Sequence, residues 1–340
     1  MILVVMPSAK LHHTSDNQPG FTRKFVGDKF VFYNQRGRLI KSQRIIKRCE
    51  SLGIPPAYIH VWVTPDPHGH LQATAHDDRG RKQYFYHPVW RSQREVVKYE
   101  QLLPFARILG SLRRSVAQDL ALPGIPKAKV VATLVKLLDT TYIRVGNEEY
   151  AHENKSYGLT TLLRRHVHGR GSDMKFIFRG KSGVRHELSI KDKRIRKIVA
   201  ACQDLPGQTL FEYLDDLGDT HSVRSDDVNA YLQTTSQIDI TAKDFRTWHG
   251  TVLFNAYLSH ADMGTTAADR KKTITAALKD TALALGNTVA ICRKCYIHPR
   301  LFKVFMNGEL KIPKRVRGLR RRYPGLRVDE LKLVSLLEKW

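Results

Sequence analysis

Hydrophobic and polar positions follow two different periods along the chain. Between residues 24 and 90, short runs of aromatic and β-branched residues (YIHVWV, HLQATAH and KQYFYH) are separated by the breaks TPDPHG and DDRG. Such runs, bounded by Gly- and Pro-containing breaks, predict β-strands joined by turns. We therefore expect a small β-sheet in the N-terminal part of the chain.

From about residue 92 the pattern becomes helical. The segments IPKAKVVATLVKLLDTTYIRVG, DRKKTITAALKDTALALGN and VDELKLVSLLEKW each carry apolar residues at helical spacing, and Gly286 and Asn287 end the second one. Between the helices, KFIFRGKSGVRHELSI alternates and turns at residues 180–183, which predicts a β-hairpin with Lys181 at its tip. We predict an α+β fold with a β-rich domain over residues 1–95 and a mainly helical domain over residues 96–340.

The charge of the chain indicates a polyanionic partner. Its 57 Lys and Arg residues face 32 Asp and Glu residues, which gives a formal charge of +25. A surplus of this size favours a nucleic acid as the partner. An anionic membrane is the alternative, but the sequence contains neither a long basic amphipathic helix nor a lipidation signal.

The sequence predicts a cytoplasmic protein that does not enter a membrane. No apolar run has the roughly 18 residues that a membrane span needs. The start, MILVVMPSAK, lacks the basic residues and the cleavage site of a signal peptide. The four cysteines are therefore expected to be reduced.

Cys292 and Cys295 have the Cys-x-x-Cys spacing of half a zinc site. Cys49 and Cys202 form no second pair, and His298 alone cannot complete a ligand set. Because the pair lies inside a predicted helix, we expect both cysteines to be packing residues. No metal ion and no cofactor are predicted.

Four features of the larger domain suit the cleavage of a phosphodiester. The reaction needs a nucleophile, cations that hold the charge of the transition state, and a proton donor for the leaving oxygen. Arg144 and Arg246 suit the second role, because guanidinium groups bind phosphate oxygens in pairs. Lys181 suits the third role, and Tyr296 can form a covalent phosphoryl intermediate. Each of these residues also fits an ordinary structural role. Arg144 fits a helix cap, Lys181 a solvated turn residue, Arg246 a cation–π partner and Tyr296 a packed ring.

The motifs that hold these residues occur in one order: IRVGNEEYAHENKSYGLTTL, FRGKSGVRHEL, KDFRTWHGT and CRKCY. From about residue 24 to residue 300 the chain resembles the type IB DNA topoisomerases, and most of all their small bacterial and poxvirus branch. The resemblance implies that Tyr296 becomes linked to a 3′-phosphate of DNA and that Arg144 and Arg246 hold the scissile phosphate. It also implies that Lys181 protonates the departing 5′-oxygen, and that supercoils relax without ATP or a required metal.

The resemblance implies a set of DNA contacts as well. The sheet domain would form one jaw of a C-shaped clamp on duplex DNA, with Gln83, Tyr84 and Tyr86 of GRKQYFYH facing a groove. The full set of expected DNA-binding residues is Arg81, Lys82, Gln83, Tyr84, Tyr86, Tyr150 and Lys243.

One position departs from the family pattern. The family usually has a histidine where this chain has Asn287, so Asn287 is expected to take over its hydrogen bond to a phosphate oxygen, without the charge. His249 is a second, less well-placed substitute for that histidine.

Two other functions fit parts of the sequence. A tyrosine recombinase shares the nucleophile and the arginine pair, but it carries His-x-x-Arg where this chain has Lys243-x-x-Arg246. A non-catalytic DNA-packaging protein would explain the charge but not the ordered motifs. We expect a monomeric, nucleoid-associated enzyme on double-stranded DNA. The basic segment around Arg320–Arg322 is either an extra DNA contact or a solvated face.

Overall fold

The computed structural model describes residues 10–313 and 315–340, with Val96 described by its backbone alone. The first nine residues, which include most of the segment judged above not to be a signal peptide, and Lys314 in the basic segment lie outside the described residues. The chain divides into two compact units, of which the first ends at Lys98 and the second begins at Tyr99. The assignment of residues 1–95 and 96–340 to two separate roles stays a prediction.

The first unit is built on a five-stranded antiparallel sheet with the strand order β2-β1-β3-β4-β5. Its elements are β1 (Phe21–Val26), β2 (Lys29–Tyr33), α1 (Gln43–Ser51), β3 (Ile59–Val63), β4 (Leu71–His76) and β5 (Lys82–Tyr86). Phe21, Phe32, Val63 and Ala73 of the sheet form a small core with Cys49 of α1. The predicted N-terminal sheet is therefore confirmed.

The second unit is mainly helical. Its helices are α3 (Leu102–Asp119), α4 (Lys127–Thr141), α5 (Glu148–Asn154), α6 (Lys193–Gln203), α7 (Ser225–Ser236), α8 (Ala242–His260), α9 (Ala267–Ala284), α10 (Val289–Cys295), α11 (Pro299–Met306), α12 (Arg317–Arg322) and α13 (Val328–Leu337). Helix α2 (Pro88–Glu100) crosses from the first unit into the second. The short strands of this unit are β6 (Val167–His168), β7 (Lys175–Arg179), β8 (Arg185–Ser189), β9 (Glu212–Leu214) and β10 (Thr220–Ser222).

Helix α8 runs through the core of the second unit. It packs against α3, α4, α7, α9 and α13, and Phe245, Trp248 and Phe254 are fully buried along it. Its N-terminus is fixed by a capping box, in which the backbone N–H and hydroxyl of Thr241 both donate to Asp244. A helix that packs against five others is a rigid platform for the polar side chains that it carries.

The predicted hairpin is formed by β7 and β8, which pair in antiparallel register with Phe178 opposite His186. Its turn is closed by a hydrogen bond of 2.8 Å from the N–H of Gly180 to the carbonyl of Val184. Ser182 has a φ of 63°, which a tight turn of this kind requires. Lys181 is exposed at the tip, as predicted.

None of the described helices combines the length and the hydrophobicity needed to cross a membrane. All four cysteines are free thiols. Cys292 lies in α10 and is fully buried, and its burial raises the pKa of its thiol to about 11. This agrees with the expected packing role of Cys292.

Candidate active site

Arg246 lies in the second turn of α8 and is only 4% exposed. Its guanidinium group donates to the carbonyl of Tyr142 and, over 2.8 Å, to the carbonyl of Leu285. These carbonyls belong to the ends of α4 and α9, where helices leave carbonyl groups without intrahelical partners. Arg246 therefore joins three helices at one point.

The charge of Arg246 is not neutralised by an acid, and among the residues that the structure describes it forms no salt bridge. Burial lowers the pKa of Arg246, and the positive charge of Arg144 lowers it further, while Tyr296 acts in the opposite direction. The Nε atom of Arg246 is buried and has no hydrogen-bond partner among the described residues. Arg246 is thus a buried cation whose Nε–H is still to be satisfied.

Tyr296 follows directly after α10 and lies against the same face of α8. The Arg246 guanidinium carbon is 5.0 Å from the centre of the Tyr296 ring. The Thr251 hydroxyl donates to the Tyr296 carbonyl over 3.2 Å, and an added Cβ on Gly250 would lie 2.6 Å from the same carbonyl oxygen. A glycine in the middle of a helix costs about 1 kcal/mol relative to alanine. At Gly250 it allows the tyrosine backbone to approach α8.

Arg144 and Asn287 meet from two different helix ends. Helix α4 is followed by Tyr142, whose φ is 60°, and Arg144 comes two residues later. Helix α9 ends before Gly286, whose φ is 57°, and Asn287 comes next. The Arg144 Nη2 atom donates to Asn287 Oδ1. The positive φ at Gly286 favours glycine, and it lets the chain turn there.

The remaining half of the Asn287 amide is available for another partner. Because arginine can only donate, its hydrogen bond fixes the amide with Oδ1 towards Arg144. Asn287 Nδ2 is then buried and has no partner among the described residues. A buried donor without a partner is destabilising, so this group is suited to an acceptor that arrives with a ligand.

Lys181 lies beside Tyr150 at the surface. Its Nζ atom is 5.6 Å from the centre of the Tyr150 ring, and the side chain is exposed. Tyr150 lies in the first turn of α5, where its N–H donates to the Asn147 side chain over 2.7 Å. Lys243 is exposed in the first turn of α8, three residues before Arg246. The structure thus brings Arg144, Arg246, Asn287 and Tyr296 together, and it places Lys181 and Lys243 on the solvent side.

The predicted DNA-binding strand β5 separates its residues between two faces. Lys82, Tyr84 and Tyr86 are exposed on one face, where the two tyrosine rings stack at 6.2 Å. Arg81 and Gln83 lie on the other face and both donate to Asp77, over 2.8 and 3.0 Å. Because side chains alternate along a strand, Gln83 cannot face the same groove as Tyr84 and Tyr86. That part of the sequence interpretation is corrected here.

His249 does not substitute for the missing histidine. It is buried, with Nε2 3.2 Å from Asp139 Oδ1, and it belongs to a separate cluster with Glu330. The three side chains form the one group of potential metal ligands among the described residues. However, Arg113 donates to both carboxylates over 2.7–3.0 Å, and Arg327 donates to Asp139. Two cations already neutralise two carboxylates, so this cluster fits a buried ion-pair network better than a metal site.

Known protein families match both parts of the chain. A family described as "Bacterial DNA topoisomerase IB, N-terminal domain" matches residues 29–77, and one described as "Eukaryotic DNA topoisomerase I, catalytic core" matches residues 87–314. The second match covers more than half of the chain. The chain belongs to the type IB DNA topoisomerase family.

Individual type IB topoisomerases support the same assignment. The DNA topoisomerase 1B of Acanthamoeba polyphaga mimivirus is 32% identical over 296 residues, which cover 85% of this chain and 88% of the relative. The DNA topoisomerase 1B of vaccinia virus (strain Copenhagen) is 24% identical over 226 residues, which cover 65% of this chain and 68% of the relative. The resemblance found in the sequence is confirmed, and the chain is an isomerase of the DNA topoisomerase class.

The family matches differ in what they cover. All five predicted catalytic residues of this type IB topoisomerase lie within the catalytic-core match. Strand β5 lies between the two matched ranges, so its predicted DNA contacts depend on the exposed tyrosine face alone. The sequence interpretation also overlooked His186, whose ring lies close to the Arg144 and Arg246 charges.

Proposed function

We propose that this topoisomerase relaxes supercoiled DNA by cutting one strand through a covalent bond between Tyr296 and a 3′-phosphate, and then resealing it. One observation carries the proposal: Arg246, a buried cation without an acidic partner, lies 5.0 Å from the Tyr296 ring. A buried charge without a counter-charge is costly. The phosphate of a bound DNA strand would supply that counter-charge beside the nucleophile.

The other donors of the site suit the same phosphate. Asn287 Nδ2 and Arg246 Nε are both buried and have no partner in the part of the chain that the structure describes, so each can donate to a non-bridging oxygen. Arg144 adds a second permanent charge. Donors fixed before the reaction stabilise a transition state because they need no reorganisation when the charge develops. We propose that Asn287 supplies the hydrogen bond that a histidine supplies in most of the family.

The proposed chemistry is a pair of transesterifications. The Tyr296 phenol gives its proton to water, and its oxygen forms a bond to phosphorus while the bond from phosphorus to the 5′-oxygen breaks. Lys181 gives its proton to that oxygen. In the return step the 5′-hydroxyl gives the proton back to Lys181 and attacks phosphorus, and Tyr296 leaves and takes up a proton from water. The two bonds exchanged are of the same kind, so the proposed reaction requires neither ATP nor a metal ion.

We propose that DNA outside the cleavage site is held by both units, as by the two jaws of a clamp. The exposed face of β5 with Lys82, Tyr84 and Tyr86 would contact a groove, and Lys243 and Tyr150 would contact the strand near the break. The net charge of +25 suits a monomer that binds the backbone of double-stranded DNA in the nucleoid. Arg81 and Gln83 would support the strand through Asp77 and would not touch the groove.

The test is Tyr296→Phe in a plasmid relaxation assay with EDTA and without ATP. We expect relaxation to disappear, together with the protein–DNA adduct that survives denaturation, while DNA affinity is kept. Phenylalanine keeps the ring beside Arg246 and removes only the attacking oxygen.

Tyr213→Phe is the matched control, since Tyr213 packs against His221 and lies outside the site. It should relax DNA like the wild type. A Tyr296→Phe protein that still forms the adduct would show that another residue is the nucleophile.

A further inference from the structure

We propose that His186 is a positioning residue that holds the Lys181 turn in place against the chain segment carrying Asn287. The proposal rests on the proposed function, because it concerns the proton donor of that reaction. It starts from the position of the His186 ring, which the hairpin carries into the space between two glycines.

The His186 ring is held on one side by the hairpin itself. It lies opposite Phe178 in the β7–β8 register, and the two rings stack at 5.0 Å with an angle of 16°. Phe178 belongs to the core of the second unit. The ring therefore has a fixed orientation, set by the core.

Two glycines contact the edge of the ring. A Cβ added to Gly180 would lie 2.6 Å from His186 Nε2, and one added to Gly286 would lie 2.5 Å from His186 Cε1. Gly180 directly precedes Lys181, and Gly286 directly precedes Asn287. The imidazole is thus a spacer between the backbone of the proton donor and the backbone of the amide that binds Arg144.

The backbone at Gly180 shows that the close contact is the reason for glycine there. Its φ is −93° and its ψ is −169°, a conformation that any residue can adopt. Gly286, in contrast, has a φ of 57° and so favours glycine for its conformation as well. At Gly180 the only requirement visible is room for the His186 ring.

The surroundings favour an uncharged ring. Burial lowers the pKa of His186, and the positive charges of Arg144 and Arg246 lower it further. A neutral ring can lie near two guanidinium groups without repelling them, whereas a lysine or arginine at the same position could not. The ring therefore adds contact and shape to the site without adding charge.

The experiment compares cleavage of two DNA substrates by His186→Ala and His186→Phe. One substrate is an ordinary duplex, and the other carries sulfur in place of the 5′-bridging oxygen at the cleavage site. A thiolate leaves without a proton, because thiols are much stronger acids than alcohols. The second substrate therefore bypasses Lys181.

We expect His186→Ala to slow cleavage of ordinary DNA by about 100-fold, the scale of a misplaced catalytic group. On the sulfur substrate its rate should return to within a few-fold of the wild type, as for Lys181→Ala. His186→Phe keeps a ring of similar shape without nitrogen atoms, and it should restore most of the rate on ordinary DNA. Melting temperature and DNA affinity identify any variant that fails to fold.

A second variant tests the contact from the other side. Gly180→Ala should slow cleavage of ordinary DNA because its methyl group displaces the ring. Combined with His186→Ala, it should cause no further loss, since the methyl group then has room. Independent effects that multiply would contradict the spacer role.

Three results would overturn the proposal. His186→Ala could cleave ordinary DNA at the wild-type rate. His186→Phe could be as slow as His186→Ala, or the alanine defect could persist unchanged on the sulfur substrate. Failure of the proposed function itself is distinguishable, because the wild-type protein would then form no covalent adduct with either substrate.

Discussion

Two arginine sites lie close together in the second unit, and they differ in how the positive charge of the arginine is balanced. Around Arg113, two carboxylates and a second arginine form a neutral network: Asp139 and Glu330 each accept hydrogen bonds from Arg113, and Arg327 donates to Asp139. Around Arg246, the contacts are backbone carbonyls, a tyrosine ring and another cation. Helix α8 serves both sites, through His249 and Arg246.

The pKa values of the two arginines are shifted in opposite directions because of this difference. Burial alone would lower the pKa of Arg113, but hydrogen bonds and charges of Glu330 and Asp139 outweigh it and raise the pKa. At Arg246 burial and Arg144 lower the pKa together. The first site is satisfied by the protein itself, so it contributes to folding. The second has no acidic partner among the described residues, and we propose that it contributes to binding and catalysis.

The largest expected effect comes from placing a carboxylate in the second site, so that its arginines gain an acidic partner as Arg113 has. Asn287→Asp has nearly the same shape, but it would pair with Arg144 and would lose the free Nδ2 donor. Loss of one such donor costs about 10²- to 10³-fold in rate. The new negative charge also repels the scissile phosphate, so we expect cleavage to fall by more than about 10³-fold. The rate of adduct formation under single-turnover conditions measures it.

Asn287→Ala and Asn287→His are the matched controls for that prediction. Alanine removes the donor without adding charge, so its loss should be smaller than that of aspartate. Histidine restores a donor and should cleave at least as fast as alanine. An aspartate variant with wild-type cleavage would mean that the amide does not face the phosphate. The thermal stability of Asn287→Asp should not fall, because Arg144 gains an ion pair.

The next largest effect is expected when Arg113 is removed from its ion-pair network. Arg113→Ala leaves Asp139 and Glu330 buried with only Arg327 as a full counter-charge. Removing one partner of a buried ion pair costs about 3–5 kcal/mol, and we expect about 3 kcal/mol here because Arg113 is 17% exposed. The free energy of unfolding from urea denaturation measures this loss. Cleavage by the folded fraction at low temperature should stay close to that of the wild type.

Arg322→Ala provides the control for Arg113→Ala. Arg322 pairs with Glu338 at the surface, where its side chain is 66% exposed. Surface pairs contribute about 0–1 kcal/mol, so this variant should lose far less stability. Equal losses for the two variants would show that the Arg113 network is no stronger than a surface ion pair.

The two sites also differ in how far the sequence predicts them. Tyr296, Arg144 and Arg246 were found because their motifs occur in one order, and the Lys181 hairpin was found from its alternation and its turn residues. These signals are local. The network around Arg113 joins residues from α3, α4 and α13, and nothing in the local sequence indicates that Asp139 and Glu330 meet.

Misses elsewhere have similar physical causes. Strand β1 exposes four of its six residues and carries Arg23 and Lys24, and β2 is an almost continuous apolar run after Lys29, so neither has the clear apolar alternation of a half-buried strand. Strand β5 is predicted correctly, but Gln83 was expected on the DNA face because GRKQYFYH resembles a DNA-contacting element of the family, whereas the alternation of side chains places Gln83 beside Asp77. His186 was passed over because its partners, Gly180 and Gly286, are 106 positions apart in the chain.

The smallest expected effect is a loss of folding stability at low pH, which we expect from the carboxylates of the Arg113 network. Burial would raise the pKa of Asp139, but hydrogen bonds and charges of His249 and Arg113 lower it. A carboxyl group with a lowered pKa in the folded state stabilises the protein above its unfolded pKa, about 3.9 for aspartate, and the contribution is lost as the pH falls further. The wild type should therefore lose about 1 kcal/mol of this contribution between pH 7 and pH 3.

Asp139→Asn removes that titration, so the stability difference between wild type and variant should be largest at pH 7 and should shrink by about 1 kcal/mol at pH 3. Urea denaturation at constant ionic strength measures both proteins across the range. A difference that stayed constant with pH would mean that Asp139 is not held ionised by its network, and the contrast between a self-satisfied and an open arginine site would lose its electrostatic basis.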